Sequence, residues 1–337
     1  MKRTQPFSFE HGRSDWSARV GVRLGMAAIA ALSAASILSP ALARPVEPEA
    51  PALAYGIAPG GLPAFFECMR GKTTLISGHR GGVEPGYPEN AIETMAHTLA
   101  QAPMVLEIDI RTTSDDRLVL MHDATLERTT TGEGKVSDSS LADIQALSLE
   151  DVDGTATAFS PPSLREALRW ARGKAMLQLD VKRGTKLADV VRVVQEENAQ
   201  DHAAVIVYSV KGAAAVHRID DTLMLSVGVE TEADLEALAE AGVRLDRVVA
   251  WTGVGKVRPA FWQSLRDKGH SVAFGALWTI DTQVVEQDNP GLFAEVTAKG
   301  VDILATDHHI EAYAAVQVNG STPEALKACA ITDESNN

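Results

Sequence analysis

Cysteine is nearly missing: the 337 residues hold two, Cys68 and Cys329. A zinc site built on thiolates is therefore excluded, and at most one disulfide is possible. In an oxidising compartment the pair could join the two ends of the domain. Two unpaired buried thiols are the other reading, because separation in sequence does not establish proximity. Positive charge is short as well, with 31 Lys and Arg against 45 Asp and Glu and a formal net charge of −14. Such a chain is a poor candidate for binding nucleic acid or an anionic membrane, and an anionic substrate would need local cations set against the overall field. No internal repeat is visible. Apolar residues, at 45%, are plentiful enough for a substantial core and too plentiful for a disordered chain.

Residues 1–43 carry Lys2, Arg3, Arg13, Arg19 and Arg23, then an uncharged stretch rich in Ala, Leu and Ile from Leu24 that ends in Ala41-Leu42-Ala43. This is the layout of a secretory signal peptide cleaved after Ala43, which predicts a periplasmic or secreted protein without stable membrane insertion. An uncleaved anchor is the rival, weakened by Ser33, Ser36, Ser39 and Pro40. Cleavage leaves 26 basic and 43 acidic residues, a net charge of −17. Residues 44–72 read as a Pro-rich linker with a short lead-in helix at Phe65–Arg70, residues 73–320 as the main globular domain, and residues 321–337 as a C-terminal tail.

From Thr74 onward, short apolar runs alternate with amphipathic stretches, the pattern of a parallel α/β sheet. The expected strands are Thr74–His79, Val105–Arg111, Met176–Val181, Ala204–Ser209, Met224–Val229, Val248–Thr252, Val272–Leu277 and Ile303–Asp307. Helices are expected at Ala91–Ala100, Leu164–Ala171, Leu187–Glu197, Ala213–Ile219, Glu232–Ala241, Pro259–Lys268 and Leu292–Ala298. Eight such units over about 250 residues predict a (β/α)8 TIM barrel with its site at the C-terminal strand ends; a doubly wound open sheet is the runner-up. The Thr-, Ser-, Gly- and Asp-rich interruption at 123–162 reads as an excursion over the barrel mouth.

The chemistry gathers at strand ends. His79-Arg80-Gly81 closes one apolar run, Glu107-Ile108-Asp109 the next, and a short strand at Leu118–Met121 delivers His122-Asp123. Alternation puts Glu107 and Asp109 on one strand face, and Gln178, Asp180 and Lys182 on another, where an ordinary barrel would place branched apolar residues. Three half-buried carboxylates cost several kcal/mol per ion unless cations compensate. A divalent ion that prefers oxygen ligands, Ca²⁺ or Mg²⁺ held by Glu107, Asp109 and Asp180, answers that cost; an internal ion-pair network without metal is the alternative. His79 and His122 suit acid/base work on a phosphodiester, and Arg80 and Lys182 suit phosphate clamping or pairing with the carboxylates. Trp278, like Trp251, could pack against a substrate alcohol or serve the core. His308 and His309 could line the site, whereas His97, His217 and His270 read as solvated.

With those positions set out, the chain resembles the glycerophosphodiester phosphodiesterase family. The resemblance is carried by His79-Arg80-Gly81, Pro88-Glu89-Asn90, Glu107-Ile108-Asp109, His122-Asp123 with Leu126, Arg128-Thr129-Thr130 and Gly132. It continues through Pro162-Ser163-Leu164, Glu166-Ala167-Leu168, Asp180-Val181-Lys182, Trp278-Thr279, Gly300-Val301-Asp302 and Thr306-Asp307. It implies a TIM-barrel hydrolase that splits glycerophosphodiesters into glycerol 3-phosphate and an alcohol, with a divalent metal on Glu107, Asp109 and Asp180 and acid/base work at His79 and His122. Two positions depart from the family pattern: Ala91 replaces the usual Thr, and Asp180 is one methylene shorter than the usual Glu. A phospholipase-D-like enzyme acting on lysophospholipids or sphingolipids, and a catalytically silent periplasmic phosphodiester-binding protein, are the alternatives.

Overall fold

One strand pairing closes the sheet. In the computed structural model, which describes residues 55–57 and 61–332, β1 (Leu75–Gly78) lies parallel to β2 (Val105–Thr112), with Ser77 opposite Val105. The remaining strands of this sheet are β3 (Leu118–Leu120), β4 (Met176–Val181), β5 (Ala203–Val207), β6 (Met224–Gly228), β7 (Val248–Val254), β8 (Ser271–Gly275) and β9 (Ile303–Thr306), and a separate antiparallel pair joins Tyr55–Gly56 to Ile331–Thr332. Their order around the sheet is β1-β9-β8-β7-β6-β5-β4-β2-β3. All run parallel except β3, which turns back antiparallel along β2 and hangs outside the ring. The eight parallel strands form the expected TIM barrel, and the open-sheet alternative is ruled out by the β1–β2 closure.

The helices are α1 (Gly61–Met69), α2 (Ile92–Gln101), α3 (Leu141–Gln145), α4 (Leu164–Ala171), α5 (Leu187–Glu196), α6 (Val210–Ile219), α7 (Glu232–Glu240), α8 (Pro259–Asp267), α9 (Ile280–Gln287), α10 (Gly291–Thr297), α11 (His309–Val316) and α12 (Thr322–Cys329). Local chemistry sets several starts. Ser163 and Glu166 form a reciprocal capping box at α4, and Pro259 stands at the first position of α8, where its missing N–H costs nothing.

Alternation along the strands separates two cores. Leu106, Ile108 and Ile110 face outward and pack with helix residues such as Leu99, Leu168 and Val191. Inward, every barrel strand contributes one residue to a lumen layer of Leu75, Val105, Met176, Ala204, Met224, Val249, Ala273 and Ile303. Each fully buried Leu, Val, Met or Ile side chain in it contributes about 1.5–3 kcal/mol. The layer lies at the strand starts and is sealed by Leu62, Phe65 and Phe66 of α1 and Leu326 of α12. A disulfide between Cys68 and Cys329, with Cα atoms 5.5 Å apart, ties those two sealing helices together.

Several expectations need correction. Thr322–Cys329, read as tail, is the sealing helix α12. The helix α9 went unread because Ile280, Thr282, Val284 and Val285 are β-branched and mask a helical pattern. His217 and His270 are buried rather than solvated, and His217 hydrogen-bonds the Leu223 carbonyl at 3.0 Å. Residues 1–54 and 58–60, which include the expected signal peptide, lie outside the described residues, and among the described ones no helix is long and apolar enough to cross a membrane.

Candidate active site

The mouth opposite the sealing helices is lined by the last inward position of each strand. Asp109 and Asp180 stand directly opposite one another in the β2–β4 register. Glu107 comes from one step deeper, and its extra methylene lets it reach the same level. Carboxylate oxygens of these three buried residues lie within 4.8 Å of one another. The shortness of Asp180 is therefore no obstacle, since adjacent strands are only about 4.8 Å apart.

Each carboxylate is held by a named partner. Asn90 donates from Nδ2 to Asp109 Oδ2 at 2.7 Å and accepts from the Asp109 backbone N–H at 2.9 Å, a reciprocal clamp on a buried acid. Glu107 Oε2 accepts from the backbone N–H of Arg80 at 2.9 Å. That N–H is aimed by a tight turn, with Arg80 at φ 54° and Gly81 at φ 90°; the left-handed region is where glycine is favoured. Asp180 Oδ1 accepts from the Tyr208 hydroxyl at 2.7 Å. Lys182 Nζ lies 2.6 Å from Asp109 and 2.5 Å from Asp180, so one ammonium spans both.

The electrostatics remain unbalanced. Burial, followed by the Asp109 charge beside it, pushes the Glu107 carboxyl well above the ordinary range. Asp109 moves the other way: burial works against its charge, but Lys182, His122 and Arg80 outweigh that and hold it ionised. Three hard oxygen donors and a carboxyl that resists ionising fit a divalent cation such as Ca²⁺ or Mg²⁺, which would neutralise what Lys182 alone leaves.

Both predicted histidines stand at this mouth, and each has a carboxylate at Nδ1. His79 Nδ1 bonds Asp307 at 2.7 Å, leaving Nε2 4.0 Å from Glu107. Burial would lower the His79 pKa, yet the hydrogen bond to Asp307 and the charge of Glu107 raise it above the ordinary value. His122 Nδ1 bonds Asp123 at 2.6 Å, and Arg111 Nε fixes the His122 carbonyl at 2.9 Å. The antiparallel return of β3, with Met121 N–H bonded to the Asp109 carbonyl at 3.0 Å, brings His122 back to the acidic cluster.

Arg80 bonds Glu89 at 2.7 Å, its Nε lies 3.9 Å from Asp109, and that buried Nε has no hydrogen-bond partner among the described residues. Arg128 grips Glu89 through two 2.8 Å bonds and Asp123 through bonds of 2.6 and 3.1 Å. A continuous chain thus runs Arg80–Glu89–Arg128–Asp123–His122. Trp278 sits at φ 58°, is 62% exposed, and presents its ring edge-to-face to His79 at 6.5 Å. His309 is buried beside Glu84, at 3.2 Å, away from the carboxylate cluster.

Sequence reading assigned no role to Asp307, Asp123, Glu89, Arg128, Asn90 or Tyr208. The adjacency His122-Asp123 was the one available signal for a dyad; Asp307 meets His79 only because the barrel closes.

A curated glycerophosphodiester phosphodiesterase from Caldanaerobacter subterraneus subsp. tengcongensis is 30% identical over 139 residues, 39% of this chain and 57% of the relative. The alignment thus spans little more than half of that protein's length. The crystal structure of a glycerophosphoryl diester phosphodiesterase from Parabacteroides distasonis superposes with a TM-score of 0.73 at 29% identity, covering 80% of this chain and 95% of that one. An Oleispira antarctica phosphodiesterase, solved in complex with the product sn-glycerol-3-phosphate, shares the fold, with a TM-score of 0.56 at 21% identity over 73% of this chain and 97% of that one. The model of the glycerophosphoryl diester phosphodiesterase family matches residues 79–310, from His79 to beyond the last barrel strand, and the chain belongs to that family.

Proposed function

We propose that the protein hydrolyses glycerophosphodiesters to glycerol 3-phosphate and an alcohol. The observation that carries the reading is the pair of histidine–carboxylate dyads standing at one carboxylate cluster, His79–Asp307 and His122–Asp123. Cleavage forms one P–O bond and breaks another, so it needs a group to take the nucleophile's proton and one to protonate the departing alkoxide. In each dyad the carboxylate holds Nδ1, so Nε2 is the nitrogen that would make such a transfer. The nucleophile is water or the adjacent glycerol hydroxyl, the latter giving a cyclic phosphate first.

Arg80 and Lys182 bind the phosphate in this reading. The buried, unpartnered Arg80 Nε supports the first, and the second requires the Lys182 ammonium to exchange part of its contact with Asp109 and Asp180 for the substrate. Glu107, Asp109 and Asp180 would hold a divalent ion, which when bound supplies charge neutralisation at the phosphate. Trp278, exposed beside His79, is placed to cover one organic arm of the substrate on the histidine side of the mouth. Export to an oxidising compartment is part of the proposal, supported by the Cys68–Cys329 bridge.

The test incubates metal-stripped protein with a panel of glycerophosphodiesters and lysophospholipids, restores Ca²⁺ or Mg²⁺, and follows glycerol 3-phosphate. Release from the diesters only after metal is restored is expected. Turnover of lysolipids alone would replace this reading with the phospholipase-D-like one, and binding without turnover would leave a binding protein.

A further inference from the structure

On the side of the mouth away from the histidines, the inward-facing lip positions of three neighbouring strands are Tyr208, Gly228 and Trp251. Gly228 pairs in register with Trp251. The β5–β6 register runs Ile206 to Ser226 and Val207 to Val227, which puts Tyr208 next in line beside Gly228. Two aromatic neighbours would ordinarily close over a glycine. Here both lean away from it. The Tyr208 hydroxyl reaches across to Asp180 on β4 at 2.7 Å. The Trp251 indole lies over β8, where a Cβ on Gly275 would come 2.9 Å from its Cη2. Gly228 is left exposed, with no heavy atom within 4 Å of where its Cβ would be.

We infer that this gap at Gly228, between the Tyr208 and Trp251 rings, receives the alcohol part of the phosphodiester, and that Gly228 sets how large that alcohol can be. The inference rests on the phosphodiesterase reading and deepens it. The gap adjoins the carboxylate cluster directly, since Tyr208 touches Asp180, so a substrate with its phosphate at that cluster has an organic arm within reach. Its walls are two aromatic rings and glycine backbone. Such walls offer mostly apolar ring area, with the Tyr208 hydroxyl already committed to Asp180 and the Trp251 indole N–H the one other polar group on the two rings, which suits a variable alcohol better than the two hydroxyls of glycerol, whose recognition calls for several placed polar groups. The absence of a side chain is then a specificity device: the room is kept by glycine and by two anchored rings.

Gly228 can carry a side chain without backbone penalty, because its φ lies outside the left-handed range and its Cβ position is empty. Gly228→Phe and Gly228→Ala are therefore informative, and melting curves and metal binding serve as folding controls. Two substrates are compared, glycerophosphoethanolamine with a small alcohol and glycerophosphoinositol with a bulky ring. Gly228→Phe is expected to lower kcat/KM for the inositol diester by about tenfold or more while the ethanolamine diester stays within about twofold. Gly228→Ala should show a smaller loss with the same bias, and keeps the test readable should the larger residue unfold the barrel. Equal losses on both substrates would place the common glycerol arm in the gap and overturn the inference, as would unchanged kinetics on both. A wild-type protein that releases glycerol 3-phosphate from neither diester would overturn the phosphodiesterase reading itself, an outcome distinct from a loss of selectivity.

Discussion

Asp307, at the end of β9, accepts a 2.7 Å hydrogen bond from Nδ1 of His79, at the end of β1, across the seam where the last and first barrel strands pair. A carboxylate can only accept, so Nδ1 carries the hydrogen and Nε2 is the nitrogen free to exchange a proton. Burial of Asp307 favours its neutral form, but the bond from His79 wins and holds its pKa below the ordinary value.

Asp307→Asn should therefore shift an ionisation rather than merely weaken the enzyme. Removing the negative charge destabilises the imidazolium, so the His79 pKa falls from its raised position. Whichever way His79 works, as acid or as base, the limb of the kcat/KM profile that reports it moves to lower pH. Stability carries the same sign: a raised imidazole pKa stabilises the fold fully below the ordinary value of 6.5, and that contribution is lost as pH rises through the folded-state value. The melting difference between wild type and Asp307→Asn should thus be larger in acid and shrink as pH rises. An unmoved limb would remove Asp307 from this role.

His79→Ala and His122→Ala should each reduce turnover by roughly a hundredfold or more with the fold retained. Both act on one phosphate, so the double variant should lose less than the product of the single losses. Steady-state kinetics with far-ultraviolet circular dichroism on all three proteins checks this, and near-wild-type turnover in either single variant would sink the pairing.

How far the sequence discloses this site depends on the kind of contact. The period of two in Glu107-Ile108-Asp109 and Gln178-Leu179-Asp180 is legible because it breaks the apolar filling expected of a barrel interior, and it locates the mouth without any long-range information. What Asp307 touches is not legible, because its partner lies 228 residues away and is delivered by closure of the ring. The direction in which Tyr208 and Trp251 lean is likewise hidden: it depends on Asp180 for one and on the bareness of Gly275 for the other. Helix α9 was missed for a local reason, since β-branched residues favour strand and only tertiary packing overrides them.

Asn90 offers a test of metal binding separable from turnover. It contacts Asp109 twice, and partners that orient a ligand typically matter about 10- to 100-fold in metal affinity when removed. Asn90→Ala should weaken Ca²⁺ or Mg²⁺ binding by about that range in calorimetric titration of the metal-stripped protein, with the lumen packing below undisturbed. Unaltered affinity would show that Lys182 and the strand register suffice to hold Asp109.

The disulfide acts at the other end of the barrel. Cys68 and Cys329 are 261 residues apart in sequence, yet both belong to the layer that seals the lumen from below. Cross-links that close long loops restrict the unfolded chain most, and removing one commonly costs about 2–4 kcal/mol. For a domain of this size that corresponds to a fall in Tm of roughly 5–15 °C. Replacing both cysteines with serine should produce such a drop in differential scanning calorimetry. Turnover at 25 °C should change little, because the proposed catalytic groups stand on the opposite strand ends and are held by Asn90, Arg80, Asp307 and Asp123 rather than by α1 or α12. A collapse of activity in a protein still folded at 25 °C would instead mean that the seal is coupled through the lumen to the mouth, along the Ser77–Gln178 hydrogen bond at 2.8 Å that separates the two layers.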